Sequence, residues 1–138
     1  MAYYLIKANL IIAGVDFDTA ILTALSSAYE RRWRVGELIH PNSSLVYDTS
    51  GISFSIFSSA EDPNWLEGCS KSLADWVEQF RSVFDLCPIP LISICIRTGG
   101  TDFPPLYFSR SFLKLIEEMK AELDIDVITT AELEKCED

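Results

Sequence analysis

Residues 109 to 130 read SRSFLKLIEEMKAELDIDVITT, and the hydrophobic period of this stretch changes halfway. Phe112, Leu115, Ile116, Met119 and Leu123 follow helical spacing. One stripe of that helix is apolar, and the other carries Lys114, Glu117, Glu118 and Lys120. After Glu122 the pattern becomes alternation, with Leu123, Ile125 and Val127 on one side and Asp124 and Asp126 on the other. A helix that runs almost directly into a strand must fold back over the sheet which that strand joins. The stretch therefore predicts a layered α+β fold.

The rest of the chain agrees with this reading. Tyr3 to Ala13 reads as a first strand, with Ile6, Ala8, Leu10 and Ile12 on one apolar face and Lys7 and Asn9 on the other. Asp16 or Asp18 caps a helix over Phe17 to Ser26, whose buried stripe is Phe17, Ile21, Leu22 and Leu25. Residues 27 to 44 form a connector, with a short strand around Trp33 to Val35. A strand follows in which Leu45, Tyr47, Ile52, Phe54 and Ile56 carry the apolar positions, and Gly51 marks a hairpin turn or a bulge. Asp62-Pro63 can open a helix with Pro63 at its first position, and the main helix runs from about Ser70 to Leu86. Its stripe is Cys69, Leu73, Trp76, Val77, Phe80, Val83 and Phe84. Pro88 and Pro90 stop it. Leu91 to Arg97 alternates as a strand, Gly99-Gly100 turns, and Pro104-Pro105 leads into a short strand at Leu106 to Phe108. The predicted architecture is a two-layer α+β sandwich: three helices on a mixed or mainly antiparallel sheet of five or six strands. Residues 1–130 make one domain, and 131–138 an acidic C-terminal tail that frays.

The charge balance bounds the partners. Twenty-one acidic residues against eleven basic ones leave a formal charge of −10. Such a surface disfavours nucleic acid and anionic lipid, both of which need basic contacts, and it suits a basic protein partner. Nine of the acids lie from Glu117 onwards: Glu117, Glu118, Glu122, Asp124, Asp126, Glu132, Glu134, Glu137 and Asp138. Only Lys120 and Lys135 offset them. This clustering reads either as a solvated helix face with a polar tail or as an electrostatic docking surface. No basic start precedes the first apolar run, which Lys7 and Asn9 interrupt well short of a membrane span. The four cysteines, Cys69, Cys87, Cys95 and Cys136, form no CxxC pair and read as reduced thiols. Both features lead us to expect a cytoplasmic protein.

No catalytic set emerges. His40, the single histidine, precedes a proline in a polar loop, so a Cys–His or Ser–His arrangement would depend on it alone. Asp124 and Asp126 share one strand face about 7 Å apart. That spacing allows a metal or acid/base pair, but no His or third carboxylate lies at ligand spacing, and a solvated face that keeps an edge strand from pairing with another chain explains it better. Arg31-Arg32-Trp33-Arg34 reads as an exposed strand with one buried tryptophan, its arginines paired with the chain's own acids, or as a site for an anionic ligand. Gly99-Gly100 matches no phosphate-loop pattern. We expect no enzyme activity, no cofactor and no metal.

Four short motifs carry a resemblance. They are Asp16-Phe17-Asp18 at the first helix, Gly36-Glu37 within WRVGELI, PPLYFS at 104–109 and AELDIDV at 121–127. In order and placement they resemble a family of small bacterial α+β domains of unknown function, across almost the whole chain. The chain departs from that pattern at Ile128 and Thr129, where an aromatic residue is expected, and in the run Glu30 to Arg34. Small acidic domains of this kind also resemble the immunity proteins of contact-dependent growth inhibition and other polymorphic toxin systems. That resemblance implies stoichiometric binding to a cognate toxin domain, often a basic nuclease. In that reading Glu117, Glu118, Glu122, Asp124 and Asp126 stand in for phosphates at the toxin's cations, and Trp33 or Trp65 anchors the contact. The alternative is a small-molecule-binding or enzymatic domain, with a site between the sheet and residues 29–44 lined by Trp33, Arg34 and Tyr47.

Overall fold

A computed structural model of the protein describes residues 3–25, 28–99 and 104–129. Five strands and three helices follow in the order β1 (Tyr3–Gly14), α1 (Ala20–Leu25), β2 (Arg31–Trp33), β3 (Ser50–Ala60), α2 (Trp65–Phe80), β4 (Leu91–Gly99), α3 (Arg110–Glu118) and β5 (Glu122–Thr129). A 3-10 segment, Arg81–Leu86, extends α2 before Pro88 and Pro90 end it. The strands form one mixed sheet in the order β2-β3-β1-β4-β5. β1 pairs antiparallel with β3 and β4, β2 antiparallel with β3, and β4 parallel with β5. Because β5 runs parallel to β4, the chain must cross over between them, and α3 makes that crossing. This is the α+β sandwich expected from the residue patterns.

Alternation puts the core on one face. Ile6, Ala8, Leu10 and Ile12 of β1, Ile52 and Phe54 of β3, and Ile92, Ile94 and Ile96 of β4 are all buried. They meet Phe17 and Leu22 from the α1 region, Cys69, Leu73, Val77 and Phe80 of α2, and Phe112 of α3 in a single apolar cluster. Each buried Val, Leu, Ile or Phe among them contributes about 1.5–3 kcal/mol relative to exposure. Phe54, Trp76 and Phe80 pack ring against ring, with centroids 4.6–5.6 Å apart. Among the described residues no helix lies on the opposite face of the sheet and none is long and apolar enough to cross a membrane.

α3 is set by its ends. Ser109 Oγ accepts a hydrogen bond from Phe112 N–H at 3.2 Å and so satisfies one orphan donor of the first turn. At the other end Lys120 takes a left-handed conformation, φ 53°. Lys120 N–H donates to Glu117 C=O at 2.9 Å and Ala121 N–H to Ile116 C=O at 3.0 Å, the paired bonds of a Schellman cap. The chain reverses in three residues and enters β5.

Several local expectations are corrected. Gly51 is neither turn nor bulge: it lies inside β3, directly beneath the ring of Trp33, where a Cβ would come within 2.6 Å of Cε2. The irregularity falls instead between Ala8 and Asn9 of β1, against β3. Leu45 and Tyr47 lie outside β3, in a loop where Leu38 and Val46 form an isolated bridge. β2 covers Arg31–Trp33 rather than Trp33 to Val35. Leu106 to Phe108 form no strand, since none of the described residues pairs with them, and Tyr107 is exposed. Helix α1 starts at Ala20, where Asp18 Oδ1 accepts the Ala20 N–H, and Ile21 is exposed. Helix α2 starts at Trp65, one turn before the expected Ser70. The acidic tail from 131 and Cys136 lie outside the described residues, as do Ser26 and Gly100.

Candidate functional site

The face of the sheet without helices is a grid of known rows. Reading from β3 to β5, Ser55, Asn9, Ser93 and Asp124 lie side by side, then Ser58, Lys7, Cys95 and Asp126, then Ala60, Leu5, Arg97 and Ile128. Leu91 pairs with Glu122 one row earlier. Among the described residues no helix covers the grid, and its floor is largely of small and polar side chains. β5 supplies its acidic border: Glu122, Asp124 and Asp126 are all exposed, while Leu123 and Ile125 turn toward the core. Val127 is at the end of that apolar row and is 39% exposed.

The six expected contact residues therefore divide. Glu122, Asp124 and Asp126 share β5, and Asp124 and Asp126 point away from the helices. Glu117 and Glu118 belong to the helical layer, where Glu118 Oε2 lies 3.8 Å from Arg81 Nη2. Trp33 is at the far border of the sheet, four strand spacings or about 19 Å from β5. It is half-buried on Gly51, stacked on Tyr47 at 5.6 Å, with Arg31 over both rings at 5.7 and 5.3 Å. Its rings hold the 34–49 loop to the sheet. Trp65 is no surface anchor: it is fully buried, and its indole N–H donates to Pro105 C=O at 2.9 Å. Regular α2 spacing places Trp65 four residues before Cys69 on the buried stripe, a signal that was present in the sequence.

Arg31 and Arg32 find other partners than acids. Arg32 Nε donates to the buried Thr19 Oγ1 at 2.6 Å, and Arg31 Nη2 to Ile39 C=O at 3.4 Å. Glu30 turns instead to β1, with its carboxylate 2.7 Å from Lys7 Nζ and 3.4 Å from Asn9 Nδ2. Both ion-pair partners are about half exposed, so the Lys7–Glu30 pair contributes little stability. His40 is exposed, as expected of a loop histidine.

Two depressions lie on the grid side. One, about 490 Å³, is floored by Leu5, Lys7, Ser58, Ala60, Cys95 and Arg97. The other, also about 490 Å³, runs along residues 29–34 and Glu37. The second matches the place expected for a small ligand, though Tyr47 is stacked on Trp33 and does not line it. The first was missed, because only strand register shows that Leu5 and Arg97 are neighbours. Among the described residues no three His, Cys, Asp or Glu side chains come together as a metal site, Asp124 and Asp126 included. Burial pushes the Cys69 thiol up to about 11 and raises that of Cys87, which makes both poor nucleophiles.

Also missed was an apolar group on the 34–49 loop. Val35, Leu38, Ile39, Leu45 and Val46 are all exposed there. Loop residues are usually polar, so five aliphatic side chains between Arg34 and Tyr47 were a legible signal. Comparison of the chain with protein-family models, with curated proteins and with solved structures finds no match.

Proposed function

We propose that this chain is a binding protein for a basic protein domain, and specifically an immunity protein that neutralises a cognate bacterial toxin domain by stoichiometric occlusion inside the cell. The observation that supports it is the exposed carboxylate row of β5: Glu122, Asp124 and Asp126 stand clear of the core. A row of carboxylates presented by a rigid strand attracts a cationic surface, speeds encounter and rejects acidic competitors. A toxin nuclease has such a cationic surface where it holds phosphates, so the same carboxylates block its substrate. The mechanism needs no turnover and no cofactor from this chain. Glu117 and Glu118 add long-range attraction from the helical layer rather than direct contacts on the same face.

The test is affinity capture of partners from the native host with the tagged chain, combined with deletion of its gene. The reading requires a basic toxin domain in the captured fraction and toxin sensitivity in the deletion strain. Capture of no basic domain, with unchanged sensitivity, overturns it.

A small-molecule site is the second reading, favoured by the depression beside Arg97, where cationic Lys7 and Arg97 flank apolar Leu5 and Ala60. A crystal grown with a small carboxylate, showing it seated on Arg97, would favour this reading over the first.

A further inference from the structure

We infer that β5 is a strand-addition site, whose outer edge takes up an extended partner segment in which basic residues alternate with apolar ones. The inference rests on the docking reading above and specifies how the partner engages the same strand. It starts from the backbone. Glu122 N–H donates to Pro90 C=O at 2.9 Å, so the peptide groups of Glu122 face β4. Peptide groups alternate sides along a strand, so those of Asp124 and Asp126 also face β4, and those of Leu123, Ile125 and Val127 face outward. β5 closes the sheet order, and among the described residues no strand pairs with this outer edge. The register with β4 runs from Glu122 to Thr129 without a bulge, so the edge is straight and continuous. A row of outward N–H and C=O groups on such an edge is a template for another strand.

The side chains select which strand. An added strand continues both faces of the sheet, so its residues on the grid side lie opposite Glu122, Asp124 and Asp126, and its others beside Leu123, Ile125 and Val127. Opposite charges directly across a pair stabilise it and like charges destabilise it. A second copy of β5, paired with its apolar row on the core side, would set carboxylates against carboxylates. The same residues therefore disfavour this pairing of β5 with its own copy and admit a Lys- or Arg-bearing strand. The partially exposed Val127 gives the added strand's apolar residues a contact at the open end of the row.

The experiment is a titration of isotope-labelled protein, followed by amide NMR, with three short peptides: one alternating lysine and valine, one of the same composition scrambled, and one alternating glutamate and valine. The alternating lysine peptide should shift the amides of Leu123, Ile125 and Val127 and slow their hydrogen exchange. The scrambled peptide should bind about tenfold more weakly and the glutamate peptide not at all. Val127→Pro removes an outward donor and leaves every bond to β4, so it should keep the fold and lose the protection at Leu123 and Ile125. Asp124→Lys with Asp126→Lys should weaken the lysine peptide about tenfold without removing any backbone group. Equal binding of both lysine peptides, with no added protection of the three outward amides, overturns strand addition and leaves charge-driven docking standing. Binding of neither lysine peptide overturns both.

Discussion

Lys120 gives the sharpest test of how the helix-to-strand reversal is built. Its φ of 53° puts a side-chain-bearing residue in the left-handed region, where Cβ crowds the following carbonyl at a cost of about 1–2 kcal/mol. The conformation is held by the bonds from Lys120 to Glu117 and from Ala121 to Ile116, at 2.9 and 3.0 Å, and neither uses the lysine side chain. Among the described residues that side chain has one ion pair, with Asp85 at 4.0 Å, and the two side chains are 83% and 91% exposed, so losing it costs little. Lys120→Gly should therefore relieve the crowding. Glycine's greater freedom in the unfolded chain takes back part of the gain, leaving a net stabilisation of about 0.5–1 kcal/mol. That corresponds to a rise of about 2–5 °C in the thermal midpoint. Lys120→Val, branched at Cβ, should instead destabilise by about 1–2 kcal/mol, and Lys120→Asn should fall between lysine and glycine. Urea unfolding followed by circular dichroism measures all three. A glycine variant less stable than the parent, or a valine variant equal to it, would refute the left-handed reversal and with it the entry of β5.

Two further predictions concern the sheet and the core. Gly51→Ala forces a methyl to within 2.6 Å of Trp33 Cε2 and 2.8 Å of Ala13 Cβ; it should cost about 1–3 kcal/mol and change tryptophan fluorescence, and a Trp33→Ala background should remove the part of that cost due to the ring while the Ala13 contact keeps the rest, as a double-mutant cycle will read. Cys69, fully buried with its thiol raised from 9.0 to about 11, releases its proton more readily when unfolded. Its contribution is intact below pH 9.0 and is lost as pH rises through about 11, so wild type should lose about 2–3 kcal/mol more stability over that window than Cys69→Ala, measured by urea unfolding against pH.

What the sequence revealed, and what it hid, follows from range. The period change in residues 109–130 is local, and it located α3, β5 and the side of β5 that carries Asp124 and Asp126. The stripe of α2 and the alternation of β1 and β4 are equally local. Gly51 was misread because its reason lies across the sheet, under the ring of Trp33, and a glycine in a strand pattern has several possible causes. Leu106 to Phe108 have strand composition but no partner strand, and strand character depends on pairing as much as on residue type. The arginines of the 31–34 run were paired with acids on charge alone. The partners of Arg31 and Arg32 are instead the Thr19 hydroxyl, the Ile39 carbonyl and the rings of Trp33 and Tyr47, which tertiary placement brings near. The acidic cluster near the C-terminal end was legible as composition. Its division between two layers was not, because the split depends on the reversal at Lys120.

The central claim is that the carboxylates of β5 meet a partner's cations. The most direct measurement is the affinity of the captured basic partner as a function of salt, for the parent chain and for Asp124→Asn with Asp126→Asn. The account predicts tight binding that weakens steeply as salt rises, and a weaker, less salt-sensitive complex for the double variant. Equal affinity and equal salt dependence for the two proteins would contradict it.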